Sequence, residues 1–211
     1  MKKTASLILA VLLLATLCAC GAKNDANATP TDVSSASPTD IEQPAATPTP
    51  LPQPVSELVV CGIPVVTNGQ PTGVSYLNAD YKDGVLTLTD VKMSSEYGSY
   101  LGISFSGDLE IVLVGANSIA TTNGMSAIGG GDEKIKGNLK ISGDGSLTIN
   151  TDGENAAGII CTGSLAINGG SFDITSGSSA VSCEGEVAYA EGLGVIGDAT
   201  ANHVVIGALN P

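Results

Sequence analysis

From Phe105 to Tyr189 the apolar positions follow one phrase, read four times: an apolar residue or Cys, any residue, Gly, any residue, an aliphatic, any residue, an apolar. The copies are Phe105-Ser106-Gly107-Asp108-Leu109-Glu110-Ile111, Ile135-Lys136-Gly137-Asn138-Leu139-Lys140-Ile141, Cys161-Thr162-Gly163-Ser164-Leu165-Ala166-Ile167 and Cys183-Glu184-Gly185-Glu186-Val187-Ala188-Tyr189. Their glycines stand 30, 26 and 22 residues apart. A second apolar spot follows in the first three copies, at Ile119, at Leu147 with Ile149, and at Phe172 with Ile174. A third follows at Ala127-Ile128, Ile159-Ile160 and Ala180-Val181. No helical period runs through this stretch. Three short strands per turn, with Gly, Asn, Asp and Ser between them, predict an all-β parallel β-helix of about four coils. One coil cannot bury its own core, so stability comes from stacking on neighbours, and both ends need capping strands.

The four residues that open the phrase, Phe105, Ile135, Cys161 and Cys183, are expected to form an internal ladder with rungs about 4.8 Å apart. That spacing brings Cys161 and Cys183 within reach of a disulfide. The parallel directions of their side chains favour plain stacking.

Ahead of the repeat, Leu58 to Val66 reads as a hairpin turning near Gly62. Asn68-Gly69 and Asp83-Gly84 are turn pairs. Val74-Ser75-Tyr76-Leu77 is expected to be a strand, and Val85 to Met93 alternates in period two. Residues 57–77 are the expected N-terminal cap. Residues 191–211 are the other, with His203-Val204-Val205-Ile206 as the last strand.

The first 56 residues follow a different grammar. Met1-Lys2-Lys3 precedes an apolar run from Leu7 to Leu17, too short to span a membrane but suited to a secretory signal. The run ends in Leu17-Cys18-Ala19-Cys20-Gly21, which resembles a bacterial lipobox with Cys20 as the lipidated residue. The alternative is an ordinary signal peptide cut near Ala19 or Ala22. Residues 20–56, rich in Ala, Thr, Pro and Ser, read as a disordered tether. The expected organisation is thus a signal peptide over 1–19, a tether over 20–56 and a β-helix domain over 57–211.

Composition narrows the function. The chain carries a formal charge of −13 and every one of its eight basic residues is Lys. Such acidity repels phosphate backbones, so nucleic acid is not an expected partner. The uneven glycine spacings place insertions at 121–124, 129–133 and 151–155, expected to gather on one edge and form a binding face. There Tyr97 and Tyr100 are candidates for stacking on sugar rings, against the plainer role of packing. Asp132, Glu133, Asp152 and Glu154 are candidate oxygen ligands for calcium, against the plainer role of exposed loop carboxylates. No catalytic constellation emerges. Arg is absent, no inward carboxylate pair can be assembled, and His203 stands alone.

The phrases Val74-Ser75-Tyr76 to Leu86-Thr87-Leu88, Gly115-Ala116-Asn117-Ser118-Ile119, Ala127-Ile128-Gly129-Gly130-Gly131 and Gly143-Asp144-Gly145-Ser146-Leu147-Thr148-Ile149 resemble a known group. They are similar to the right-handed parallel β-helix carbohydrate-binding-type modules of surface lipoproteins in Gram-positive anaerobes. The resemblance covers about residues 57–190. It implies a right-handed solenoid of a kind that binds polysaccharide, and the leading expectation is a non-catalytic carbohydrate-binding or adhesive module. It also implies a chain held by its Cys20 lipid on the outer face of the cell membrane. A structural or protein-interaction solenoid of the envelope is the second expectation, and a polysaccharide lyase or hydrolase the third.

Overall fold

A computed structural model describes residues 52–94, 101–132, 134–197 and 200–209. The chain enters through β1 (Glu57–Val60), β2 (Ile63–Thr67), β3 (Gln70–Pro71) and β4 (Ala79–Lys82). Four coils of three strands follow. They are β5 (Val85–Thr89), β6 (Lys92–Ser94) and β7 (Ile103–Ser106), then β8 (Leu109–Val114), β9 (Ala116–Thr121) and β10 (Ile128–Gly130). The third holds β11 (Leu139–Gly143), β12 (Ser146–Thr151) and β13 (Ile159–Cys161), and the fourth β14 (Leu165–Ile167), β15 (Ser171–Thr175) and β16 (Val181–Cys183). The chain closes with β17 (Val187–Tyr189), β18 (Leu193–Val195) and β19 (His203–Ala208).

Equivalent strands of successive coils pair in parallel and build three sheets. The first runs β16-β13-β10-β7-β1-β2-β3, the second β17-β14-β11-β8-β5-β4, and the third β18-β19-β15-β12-β9-β6. The predicted parallel β-helix is therefore the observed fold. A full coil, β5 to β7, precedes the first repeat phrase. The first three phrases open β8, β11 and β14; the fourth opens β17, after which the chain leaves to form a cap.

Within each strand alternate residues point inward, so Leu109, Ile111 and Leu113 of β8 are 2% exposed or less. They stack on Leu139 and Ile141, which stack in turn on Leu165 and Ile167. Each such side chain contributes about 1.5–3 kcal/mol through burial. The core is one continuous apolar column from Val55 to Ile206.

The phrase glycine has a cause beyond turn-making. A Cβ on Gly137 would lie 2.2 Å from Gly130 carbonyl carbon, and one on Gly185 would lie 2.5 Å from Ser164 Oγ. The coils touch at this corner, and a side chain there would force them apart.

The expected ladder needs one correction. Gly130, not Ile135, pairs with both Phe105 and Cys161. The Phe105 ring fills the space above its own rung, and a Cβ on Gly130 would sit 2.2 Å from its Cζ. Ile135 instead belongs to an excursion closed by a bridge between Gly131 and Lys136, and is half-buried. Cys161 and Cys183 do stack, directly paired and both free thiols.

Two local readings change as well. Val74 to Leu77 forms no strand; Tyr76 and Ala79 bridge across a turn, with Asn78 at φ 62° and Leu77 79% exposed. The alternation from Val85 to Met93 is broken by a corner at Asp90, φ 51°. The solenoid also engages the chain before residue 57. Asp108 N–H donates to Gln53 carbonyl at 2.7 Å, Ser56 N–H to Ser106 carbonyl at 2.9 Å, and Val55 is buried.

Candidate functional site

The residues that follow the phrase glycines stack at the corner entering the second sheet. Asn138 Nδ2 donates to Asp108 Oδ1 at 2.7 Å, and Asn138 Oδ1 accepts from Ser164 N–H at 2.9 Å. Gln53 N–H donates to Asp108 Oδ2 at 2.8 Å. Beside them, on the outer face of the sheet, Glu110 accepts from Ser142 Oγ at 2.8 Å and from Lys140 Nζ at 3.1 Å. Burial alone would raise the Glu110 carboxyl. The hydrogen bonds from Ser142 and Lys140 and the Lys140 charge outweigh it and hold the group below its usual range.

This corner borders a hollow of about 520 Å³, a depression over the second sheet floored by Val85 and Ala166 and rimmed by Asp108, Glu110, Asn138 and Lys140. A second hollow, of about 390 Å³, shares Pro52, Asp83, Gly84 and Asp108 with it and reaches Tyr81. The two meet at the Asp83-Gly84 turn but open on different sides: Tyr81 pairs with inward Leu86, whereas Val85 pairs with Lys82 and Glu110 on the outer face. Tyr81 packs one part of its ring on the core. Burial pushes its phenol upward, with Gly84 backbone opposing and the Asp83 charge reinforcing.

The described members of the predicted calcium set, Asp132, Asp152 and Glu154, do not all converge. The loops at 122–126 and 152–156 stack on each other where the third sheet passes to the first. There Asp152 carbonyl accepts from Gly124 N–H at 3.2 Å. The excursion at 131–136 lies at the other end of the first-sheet strands. So Asp132 does not meet Asp152 and Glu154. Its Oδ1 accepts the N–H groups of Ile135 and Lys134, at 2.8 and 2.7 Å, and these bonds hold the carboxyl below its usual range. Among the described residues no group of three or more His, Cys, Asp or Glu side chains is placed to hold a metal ion. Cys20, Tyr97, Tyr100 and Glu133 lie outside the described residues. His203 Nε2 lies 3.2 Å from Asp173 Oδ1 on the outer face of the third sheet, both side chains well exposed.

Sequence reasoning missed the depression because its members are scattered from Pro52 to Ala166. The signal was present: Asp108, Asn138 and Ser164 occupy the same place in three phrases. It also missed Asn117, which is 3% exposed. Its Oδ1 accepts from Val91 N–H at 2.9 Å, and its Nδ2 donates to Val114 and Ser146 carbonyls, both at 3.2 Å, tying three coils together.

Compared with family models, with curated proteins and with solved structures, the chain matches none.

Proposed function

We propose that this is a lipid-anchored cell-surface protein, held through Cys20, that presents its solenoid as a non-catalytic polysaccharide-binding module. The observation that carries the reading is the depression over the second sheet. A sugar ring offers an apolar face of C–H groups and a rim of hydroxyls. The depression offers Val85 and Ala166 to the first, and Asp108, Asn138, Glu110 and Lys140 to the second. Its polar groups are already held in place by hydrogen bonds, which lowers the ordering cost of binding. The lipobox, the tether and the net negative charge agree with a surface address and with a ligand other than a polyanion.

The same chemistry supports a binding role over a hydrolytic one. A glycosidase acid needs a carboxyl kept protonated near neutral pH. Glu110 is shifted the opposite way.

Retention on insoluble polysaccharides and on a glycan array tests the reading, with and without a calcium chelator. Wild-type protein is expected to be retained equally in both. Ala166→Asp, which puts a charge on the apolar floor, is expected to weaken retention about tenfold, equivalent to about 1.4 kcal/mol. Lys140→Ala, more exposed, should leave the fold intact and weaken it less. No retention on any glycan overturns the proposal.

A protein-interaction solenoid is the second reading. It is favoured by the terminal strands β16 and β17, where Val181, Cys183 and Val187 are only half-buried and Tyr189 is 37% exposed.

A further inference from the structure

Cys161 and Cys183 face each other on the last two rungs of the first sheet, in direct parallel register. Opposed residues on neighbouring strands have Cα atoms about 4.8 Å apart, inside the range of about 4.4–6.8 Å seen in disulfides. The Cys161 S–H donates to the Gly163 carbonyl at 3.6 Å. Their surroundings differ. Cys161 is 2% exposed, with strands on both sides; Cys183 is half-buried, on a strand paired on one side only.

We propose that Cys161 and Cys183 form a disulfide that staples the fourth coil to the third. The reaction is thiol–disulfide exchange with a small-molecule disulfide as the oxidant. The Cys183 thiolate attacks one sulfur of that disulfide, forming a mixed disulfide and expelling one thiolate. The Cys161 thiolate then attacks Cys183 Sγ, the new S–S bond forms, and the second thiolate leaves. Two protein thiols are oxidised, one small disulfide is reduced to two thiols, and the protons pass to the released thiolates.

Two observations assign the order of events. Cys183 is the thiol a small molecule can reach. Cys161 is buried directly beneath the intermediate. Parallel side chains leave the Cβ atoms wider apart than the roughly 3.5–4.5 Å a disulfide prefers. One strand must therefore move toward the other. β13 is locked between two neighbours, but β16 is an edge, so the last rung can supply that movement. Cys61 provides an internal control. It lies in the β1–β2 turn at the opposite end, hydrogen-bonded to Tyr76.

The chemistry does not depend on glycan binding, so the two proposals fail separately. The reduced full chain is held in oxidised glutathione, alkylated, and digested without reductant. The protease should cleave at acidic residues, because Asp173 separates the two cysteines and no Lys or Arg follows Lys140. The expected product is a Cys161–Cys183 linked peptide two hydrogens lighter, with Cys61 still alkylated. The linked protein is expected to unfold about 5 °C higher than the reduced form, given the 22-residue separation of the cysteines. Cys161→Ser should abolish that rise and leave glutathione lastingly attached to Cys183. The proposal is overturned if both thiols of wild-type protein remain alkylatable, or if glutathione stays on Cys183 with Cys161 free.

Discussion

The two ends of the solenoid are built differently. At the N-terminal end, β1 pairs antiparallel with β7, and β4 with β5, so the first rungs of two sheets are covered. Leu58, Val60, Val65, Val66 and Ala79 of that cap are 3% exposed or less. Beyond them the first sheet stops at a two-residue strand containing Pro71, a residue that cannot donate to a further strand. At the C-terminal end, β19 pairs antiparallel with β15 and covers the third sheet alone. The last rungs of the other two, β16 and β17, are edges. A solenoid's stability is close to a sum of neighbour contacts. The two ends show what a missing neighbour does to residues that otherwise occupy equivalent positions.

Alanine substitutions along one column test the contrast most severely. Leu139, with strands on both sides and 2% exposed, should cost about 3–4 kcal/mol when replaced by Ala. Val187→Ala, on the edge strand β17, should cost about 1 kcal/mol or less. Denaturant unfolding measures both, and equal costs would remove the distinction between interior and terminal rungs.

A sharper version keeps to one ladder of the first sheet. Gly130→Ala forces a methyl into the Phe105 ring and should destabilise by about 2–3 kcal/mol. In the Phe105→Leu background the same substitution should cost much less, because the ring that occupies the space is gone. A double-mutant cycle with no coupling would show that the ring does not fill Gly130's place.

The smallest effect belongs to the exposed face of the second sheet. Glu110 has a lowered folded-state pKa. Its contribution is therefore present above the unfolded-state pKa and is lost as pH falls through the lowered folded value. With the pair partly exposed, the contribution should stay within about 1 kcal/mol. Lys140→Met should flatten that part of the stability–pH curve.

What the sequence made legible was whatever repeats with period. The phrase from Phe105 to Tyr189 marked the corners into β8, β11, β14 and β17. Period-two alternation marked the strands, and Asn68-Gly69 and Asp83-Gly84 marked tight turns with positive φ. The reading failed where spacing breaks phase. Ile135 stands two residues before Gly137, as Phe105 stands before Gly107, but the chain between Gly131 and Lys136 leaves the sheet and returns. The ladder place had already gone to Gly130. The insertions were expected on one edge. In fact 122–126 precedes a first-sheet strand and 131–136 follows one, so they occupy different corners. Polar ladders such as Asp108 with Asn138, and the inward Asn117, were also hidden. A polar residue near a glycine looks the same in sequence whether it faces water or a neighbouring coil.

The stacking of β14 on β11, and of β17 on β14, with the same inward residue types, has a consequence for how such a molecule changes size. Its height can grow or shrink only in whole steps. A duplicated stretch equivalent to 165–186 would present the strand below and the strand above with partners like those they already have, so neither cap would need to change. A smaller insertion has no such freedom and must swing outward at a corner, as 131–136 does. Length variation in this architecture is therefore quantised, with surplus residues appearing as decoration on a ruler of fixed divisions.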